Sequence, residues 1–404
     1  MLFLLPILLF LFAENILQYS FPIITERVVA NNTQVGLILG LSSVIGIACD
    51  FLFSKFLKRK SWKFHAYSAA TLALFIPTFL IMGNNLKSVL LLLVVTSVWG
   101  VYYELYSFFV QSYITTEEKK NMFSRDWGLV FLVFGFMSIL APVVASVLVD
   151  LSVFGLCTLM FVAYVLAYLT SLILSVSLES KHKKKENINT LVDEMEVLSL
   201  SKELKVWEVL GIKLSPIVIM TTVVQFVVAA FWTYGGLFGE SLFTGKYLDF
   251  IPLVLFNIPF LIGSVAVSKL NIQKGKKHIS LVCMFMGGAF LVPLLFVTNI
   301  FVTGAILFLC GLFLSISSAL NEAVYSDLIS RAGKYGSDIL GLDKSNNSLA
   351  FVLAPFICGY MSDIMSFSKM FGVVGIATAI FATILLIFIP SKLKIPKSQL
   401  GRLS

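Results

Sequence analysis

Four acidic residues stand inside or at the edge of long apolar runs: Glu14, Glu104 and Glu322 well within them, and Asp50 near the end of one. An ionised side chain at the centre of a membrane helix costs about 2.5–3.5 kcal/mol. Such carboxylates must face protein or water, carry a proton, or meet a cation. Away from their ends, the apolar runs contain no Lys or Arg. A buried salt bridge is therefore not expected, and a reversible proton, an inorganic cation or a cationic solute becomes the natural partner.

The spacing of the neighbouring polar residues suggests shared helix faces. Glu14 and Gln18 are four apart, with Asn15 and Tyr19 extending the stripe. Glu104, Ser107 and Gln111 repeat at three and four, flanked by Trp99, Tyr102 and Tyr103. Ser315, Ser318, Glu322 and Tyr325 do the same, with Asn321 beside them, and Gln225, Trp232 and Tyr234 occupy a further run. The expected cavity set is Glu14, Gln18, Trp99, Tyr103, Glu104, Ser318, Asn321, Glu322 and Tyr325. The competing reading is structural: a buried glutamate can simply tie two helices together, an interaction worth about 1 kcal/mol, and a Tyr or Trp in a span can be packing or an interface anchor. Asp50 reads differently, as a conformational latch with the basic residues Lys55, Lys58 and Arg59 that follow it.

Other chemistries are excluded or lack their residues. There is no GxxxxGK[ST], GxSxG or HExxH pattern, so an ATP-driven pump and a membrane hydrolase are disfavoured. Cys49, Cys157, Cys283, Cys310 and Cys358 all lie in apolar stretches without a CxxC pair, and read as small core hydrophobes. His65, His182 and His278 adjoin Lys-rich segments and read as solvated loop residues. No cofactor, metal or nucleic-acid partner is implied.

The elements that position these residues follow from composition. Of 404 residues, 58% are apolar or aromatic and 13% are charged, with a mean hydropathy of +0.94. A soluble domain carries about 25% charged residues, so the chain has half the charge that a water-facing surface needs. Its apolar runs are continuous and not alternating, which excludes a membrane barrel. The expected fold is an all-α polytopic membrane protein with twelve transmembrane helices in two pseudo-symmetric six-helix bundles. The spans fall at about 2–24, 34–54, 64–83, 88–113, 127–149 and 153–176, then 215–238, 248–270, 279–298, 301–328, 346–364 and 369–390. The first reads as a retained span and not as a signal peptide.

Charge placement orients the chain. Of its 30 Lys and Arg, 26 fall on alternate loops of one side, leaving only Arg27, Lys87, Lys246 and Lys369 on the other. By the positive-inside rule both termini are cytoplasmic, and the cytoplasmic membrane is the expected location. The expected organisation is a first bundle over 1–176, a cytoplasmic linker over 177–214, a second bundle over 215–390 and a tail over 391–404. Leu191, Met195, Leu198, Leu204, Trp207 and Leu210 in the linker recur at helical spacing among charges, which suggests an amphipathic helix on the inner membrane surface.

The two halves echo each other. Leu140-Ala141-Pro142 precedes Asp150 by the interval at which Leu353-Ala354-Pro355 precedes Asp363. Tyr103-Glu104 with Tyr106-Ser107 matches Asn321-Glu322 with Tyr325-Ser326, and Ser54-Lys55 matches Ser268-Lys269. Repeats of this kind build many secondary transporters.

Over essentially its whole length the chain resembles the major facilitator superfamily: two six-helix halves, a long middle loop, and basic loops after spans two and eight. Of the loop signature G-x-x-x-D-R-x-G-R-K, Gly46 and Asp50 reproduce G-x-x-x-D, and Lys55, Lys58 and Arg59 sit at the basic positions of a copy shifted one turn onward. Of the antiporter signature in span five, only Pro142 is present. The resemblance implies that spans one, four, seven and ten line a central cavity, where the polar residues concentrate. It also implies a secondary transporter working by alternating access, without enzymatic activity; the buried, repeat-related acids Glu104 and Glu322 are the residues expected to couple it to protons or cations. An acidic, aromatic cavity favours cationic, zwitterionic or neutral solutes over anions. Membrane lipids are the other expected contact, and a monomer the expected state. A receptor or complex subunit on this fold, or a lipid flippase, are the alternative readings.

Overall fold

A computed structural model describes residues 3–56, 61–117, 123–182, 200–243, 247–270, 275–332 and 335–390. Among them there is no strand. Lipid offers no hydrogen bonds to the backbone, so each apolar run satisfies its own as a helix.

The first half runs α1 (Leu4–Val29), α2 (Asn32–Phe56), α3 (Trp62–Ala73), α4 (Phe75–Leu86), α5 (Val89–Glu117), α6 (Phe123–Leu151) and α7 (Val153–His182). Helix α8 (Leu200–Lys213) leads into α9 (Ser215–Leu242), α10 (Ile251–Leu270), α11 (Lys276–Leu291), α12 (Ile300–Ala332), α13 (Gly336–Ile364) and α14 (Phe367–Phe388). Helices α3 and α4 form a single span interrupted at Leu74, where Pro77 withholds the N–H that would bond back across the break. A 3-10 turn at Val292–Leu295, opened by Pro293, ends the α11 span in the same way. Among the described residues eleven helical stretches are long and apolar enough to cross a membrane, and α10 supplies a shorter twelfth. The protein is a multi-pass integral membrane protein.

The peripheral helices show large apolar side chains to lipid at helical spacing: Phe161, Val162, Leu166, Leu169 and Ile173 on α7, and Ile376, Ile380, Ile384 and Ile387 on α14. Helix α1 is the opposite case, with Ile7, Phe10, Ala13, Ile16, Phe21 and Ile24 fully buried. Most helices pack within α1 to α7 or within α9 to α14; α2 and α13 are the exceptions, meeting each other more extensively than either meets any helix of its own group, and the two groups also meet along α1–α9 and α6–α10.

The α2–α13 seam is tight because glycines permit it. A Cβ on Gly36 would sit 2.0 Å from the Pro355 carbonyl oxygen, and one on Gly359 2.3 Å from that of Asn32. No larger residue fits at either position without separating the helices.

Three expectations change. His65 is buried in α3 at 2% exposure, because that helix begins at Trp62 and carries the residue inside; it is not a loop histidine. His278, in the first turn of α11, is exposed, and the side chain of His182 lies outside the described residues. Helix α8 does not simply lie on a membrane surface. Its apolar face (Val206, Leu210, with Leu214 following) packs into a core shared with α9, α11, α12, α13 and α14. The linker residues 183–199 and the tail lie outside the described residues.

The third change concerns charge. Helix α13 begins at Gly336, about two turns before the acid–base pair Asp343-Lys344, so Lys344 lies within a spanning helix. The polar stretch reads as loop because hydropathy records composition, whereas a helix facing protein can keep polar residues off lipid. The expectation of spans free of basic residues is therefore overturned.

Candidate functional site

A cavity of about 210 Å³ opens between the two halves. Helix α1 contributes Glu14, Gln18 and Pro22; α2 contributes Leu39, Ser42, Ser43 and Asp50; α5 contributes Trp99, Gly100, Tyr103, Glu104 and Ser107. Across it stand Trp232 and Thr233 of α9 and Lys344, Asn347, Ser348, Phe351 and Pro355 of α13.

Glu14 is 2% exposed and held by two donors on one oxygen. Trp99 Nε1 donates to Glu14 Oε1 at 2.7 Å and Gln18 Nε2 donates to the same atom at 3.2 Å. The other oxygen, Oε2, is buried and has no hydrogen-bond partner among the described residues. An unmet buried acceptor costs about 1–3 kcal/mol, so a donor arriving in the cavity finds it ready. Trp99 is fixed in turn by an edge contact with Phe21.

Glu104 sits above Gly46, where a Cβ would come within 3.1 Å of its Oε1. One turn along α2, the Asp50 carboxyl lines the same cavity and acts electrostatically on that of Glu104. Two buried carboxyl groups that act on each other favour sharing one proton. Lys344 lies open to the same cavity and acts electrostatically on both. The half containing the carboxyl pair thus faces a fixed positive charge on the other half. Sequence periodicity misses Lys344; the polar run Asp343-Lys344-Ser345-Asn346-Asn347 at the head of an apolar stretch is the only signal for it.

Tyr103 is 44% accessible although it lies mid-span, because it faces the cavity. Tyr102, one residue earlier, is fully buried among Phe10, Tyr106 and Tyr164.

The residues expected on α12 lie elsewhere: Ser318, Asn321, Glu322 and Tyr325 are absent from the cavity wall. Asn321 accepts from Ser280 of α11 at 2.6 Å, Tyr325 is packed in the core of the second half, and Glu322 is exposed. Of the α9 residues Trp232 lines the cavity and Gln225 does not; the Tyr234 hydroxyl instead lies 2.6 Å from the Pro355 carbonyl and 3.0 Å from that of Asn32. Of the latch residues, Lys58, Arg59 and the side chain of Lys55 lie outside the described residues.

At the short-loop face, opposite the basic loops, the halves are joined. Arg27 of α1 donates to Asp150 of α6 at 2.6 Å and to Glu240 of α9 at 3.0 Å. Asp363 of α13 accepts from the backbone N–H groups of Asn32 and Thr33, both at 2.9 Å, and from the Thr33 hydroxyl at 2.6 Å. It thereby caps α2 from the other half of the protein. The two repeat-related aspartates, Asp150 and Asp363, both serve this closure. Tyr19 donates to Asp249 in the α9–α10 connection; burial there pushes the Asp249 carboxyl above the usual carboxylate range, against the pull of the Tyr19 hydroxyl.

A cavity between two groups of membrane-spanning helices, carrying charge on both walls, is the arrangement a membrane transporter needs. A family model described as Major Facilitator Superfamily matches residues 2–339, and the chain belongs to that superfamily. No curated protein matches by sequence. Similar solved folds include a bacterial homologue of the human lysosomal transporter Spinster in an inward-facing, unoccupied conformation, at 13% identity and TM-score 0.67, covering 96% of this chain and 94% of that one. The nucleoside transporter NupG is similar at 13% identity and TM-score 0.67, covering 96% of each chain.

Proposed function

We propose that the protein is a secondary active transporter that moves a small solute by alternating access, coupled to protons or cations. The observation that carries this reading is the Glu104–Asp50 carboxyl pair on one half facing Lys344 on the other across the shared cavity. Where closure of the cavity desolvates the pair it takes up a proton; when the cavity wets, the positive charge of Lys344 stabilises the ionised form and the proton leaves to water.

Glu14, with one oxygen unmet, and the aromatic walls Trp99, Tyr103 and Trp232 suit a solute bearing an amine or other N–H donor. Lys344 allows a zwitterion as well as a cation or a neutral solute. Three acids to one base on the cavity wall disfavour a simple anion. The positive-inside rule makes the short-loop face external. Closure there by Arg27 and Asp363 then corresponds to an inward-facing arrangement in a cytoplasmic membrane, with both termini inside and a monomer as the working unit. The halves over 1–176 and 215–390 are the bodies that rock.

The experiment is a thermal-shift screen of purified protein against amines, amino acids and nucleosides, followed by uptake of the hits into proteoliposomes. Loss of uptake in the Glu104→Gln variant, and on collapsing the ion gradient, supports the reading. Uptake indifferent to both sinks it.

A further inference from the structure

Two residues of the central cavity wall, one on each half, carry a buried oxygen without a hydrogen-bond partner among the described residues. Glu14 Oε2 of α1 is one and Asn347 Oδ1 of α13 is the other. Lys344, one turn before Asn347 on α13, is exposed on the same wall. An unmet buried acceptor is costly, so the cavity lacks a donor between its two walls.

Helix packing gives the depth of each group. A Cβ on Gly36 of α2 would lie 2.0 Å from the Pro355 carbonyl oxygen, and one on Gly40 3.3 Å from that of Val352, so α2 and α13 run antiparallel. Followed back from Val352, α13 reaches Lys344 at the level of Gly46 to Asp50 on α2. Beside α5, a Cβ on Gly46 would lie 3.1 Å from Glu104 Oε1, and one on Gly100 2.3 Å from the Ser42 carbonyl oxygen. Lys344 is therefore level with Glu104. Glu14 is bonded to Trp99, five residues before Glu104, which places it about 7–8 Å farther toward the short-loop face. Asn347 lies between the two levels.

That offset fits a solute with a cation at one end and an anion at the other. The amino nitrogen and carboxyl carbon of an α-amino acid are about 2.5 Å apart. A charge-assisted contact of about 2.8 Å at each end extends the span to about 8 Å. An ammonium has three N–H donors, enough for Glu14 Oε2 and Asn347 Oδ1 together. A diamine would bring a like charge to Lys344, and a dicarboxylate would bring one to Glu14. The rest of the wall is aromatic, with Trp99, Tyr103, Trp232 and Phe351. The volume of about 210 Å³ lies below the roughly 300–1,000 Å³ of pockets for drug-sized ligands.

We propose that the cavity binds an α-amino acid with an apolar or aromatic side chain, its ammonium held between Glu14 and Asn347 and its carboxylate by Lys344. This specificity rests on the transporter reading above and goes beyond it in naming the solute and its orientation.

The test uses the purified full-length protein in detergent with L-leucine, L-phenylalanine and L-tryptophan. Each is compared with its methyl ester, which lacks the carboxylate, and its N-acetyl derivative, which lacks the ammonium. At least one amino acid should raise the melting temperature saturably by about 2–5 °C, and both of its derivatives should bind at least tenfold more weakly. Lys344→Gln should erase the preference over the methyl ester and Glu14→Gln the preference over the N-acetyl form, while Asn347→Leu should weaken the amino acid several-fold. Where a variant does not fold, the derivative series on the wild type carries the comparison. Shifts from an amine or a nucleoside with none from the amino acids, or derivatives that bind as well as their parent, would overturn the assignment and leave the transporter reading in place. No shift and no uptake with any of these solutes would overturn both.

Discussion

The indole N–H of Trp99 on α5 meets Glu14 Oε1 on α1 at 2.7 Å, and the second carboxylate oxygen is left without a partner. The contact joins two helices of one half and leaves the other Glu14 oxygen as an acceptor for whatever enters the cavity. Trp99→Phe should cost about 1.5–3 kcal/mol of stability, the range for a hydrogen bond to a charged group, read as a shift in the denaturation midpoint. Glu14→Gln should keep the fold and weaken binding of an amine-bearing solute at least tenfold, or about 1.4 kcal/mol, measured by thermal shift.

Arg27 holds α1, α6 and α9 together through half-buried ion pairs. Such pairs are worth about 0.2–1 kcal/mol each, so Arg27→Ala should shift the equilibrium toward opening at the short-loop face by roughly two- to thirty-fold. Labelling of a Gln18→Cys protein by a membrane-impermeant thiol reagent reads this. An unchanged labelling rate would show that the ion pairs do not hold the gate.

The seam between α2 and α13 admits no Cβ at Gly36 or Gly359. Gly36→Val should keep the halves apart at the short-loop face and stop transport, while both halves remain folded. Distances between spin labels on α2 and α13 should lengthen, and normal distances with normal uptake would contradict the packing.

How much of this was legible beforehand depends on what spacing can report. Glu14, Gln18, Trp99, Tyr103 and Glu104 stand on one cavity wall because α1 and α5 are adjacent and their polar stripes converge. The α12 stripe was as regular, yet Asn321 meets Ser280 and Tyr325 sits in the second core. A helical repeat identifies a face, and only the packing decides which neighbour it meets. Lys344 was hidden for another reason: a hydropathy window ends a span at its first polar cluster, even where that cluster faces water inside the protein.

Asp249 gives a pH signature at the same closure. It faces Tyr19, with Asp150 and Arg27 near, and its carboxyl is held above the ordinary range chiefly by burial. A carboxyl so raised favours the closed arrangement while protonated. Its contribution is therefore complete below about pH 4 and is lost as pH rises through the raised value. The Asp249→Asn protein should lose that pH dependence, so its melting temperature should exceed the wild-type value increasingly as pH rises. A constant difference across the range would remove Asp249 from the closure.

The most direct test of coupling uses proteoliposomes loaded with a pH-sensitive dye and a solute identified from the amine, amino acid and nucleoside panel. The Glu104–Asp50 pair facing Lys344 predicts that adding solute drives proton movement in the wild type. Glu104→Gln should abolish this movement while keeping solute exchange across the membrane. Solute-driven proton movement that persists in Glu104→Gln would contradict the assignment of the carboxyl pair as the coupling site.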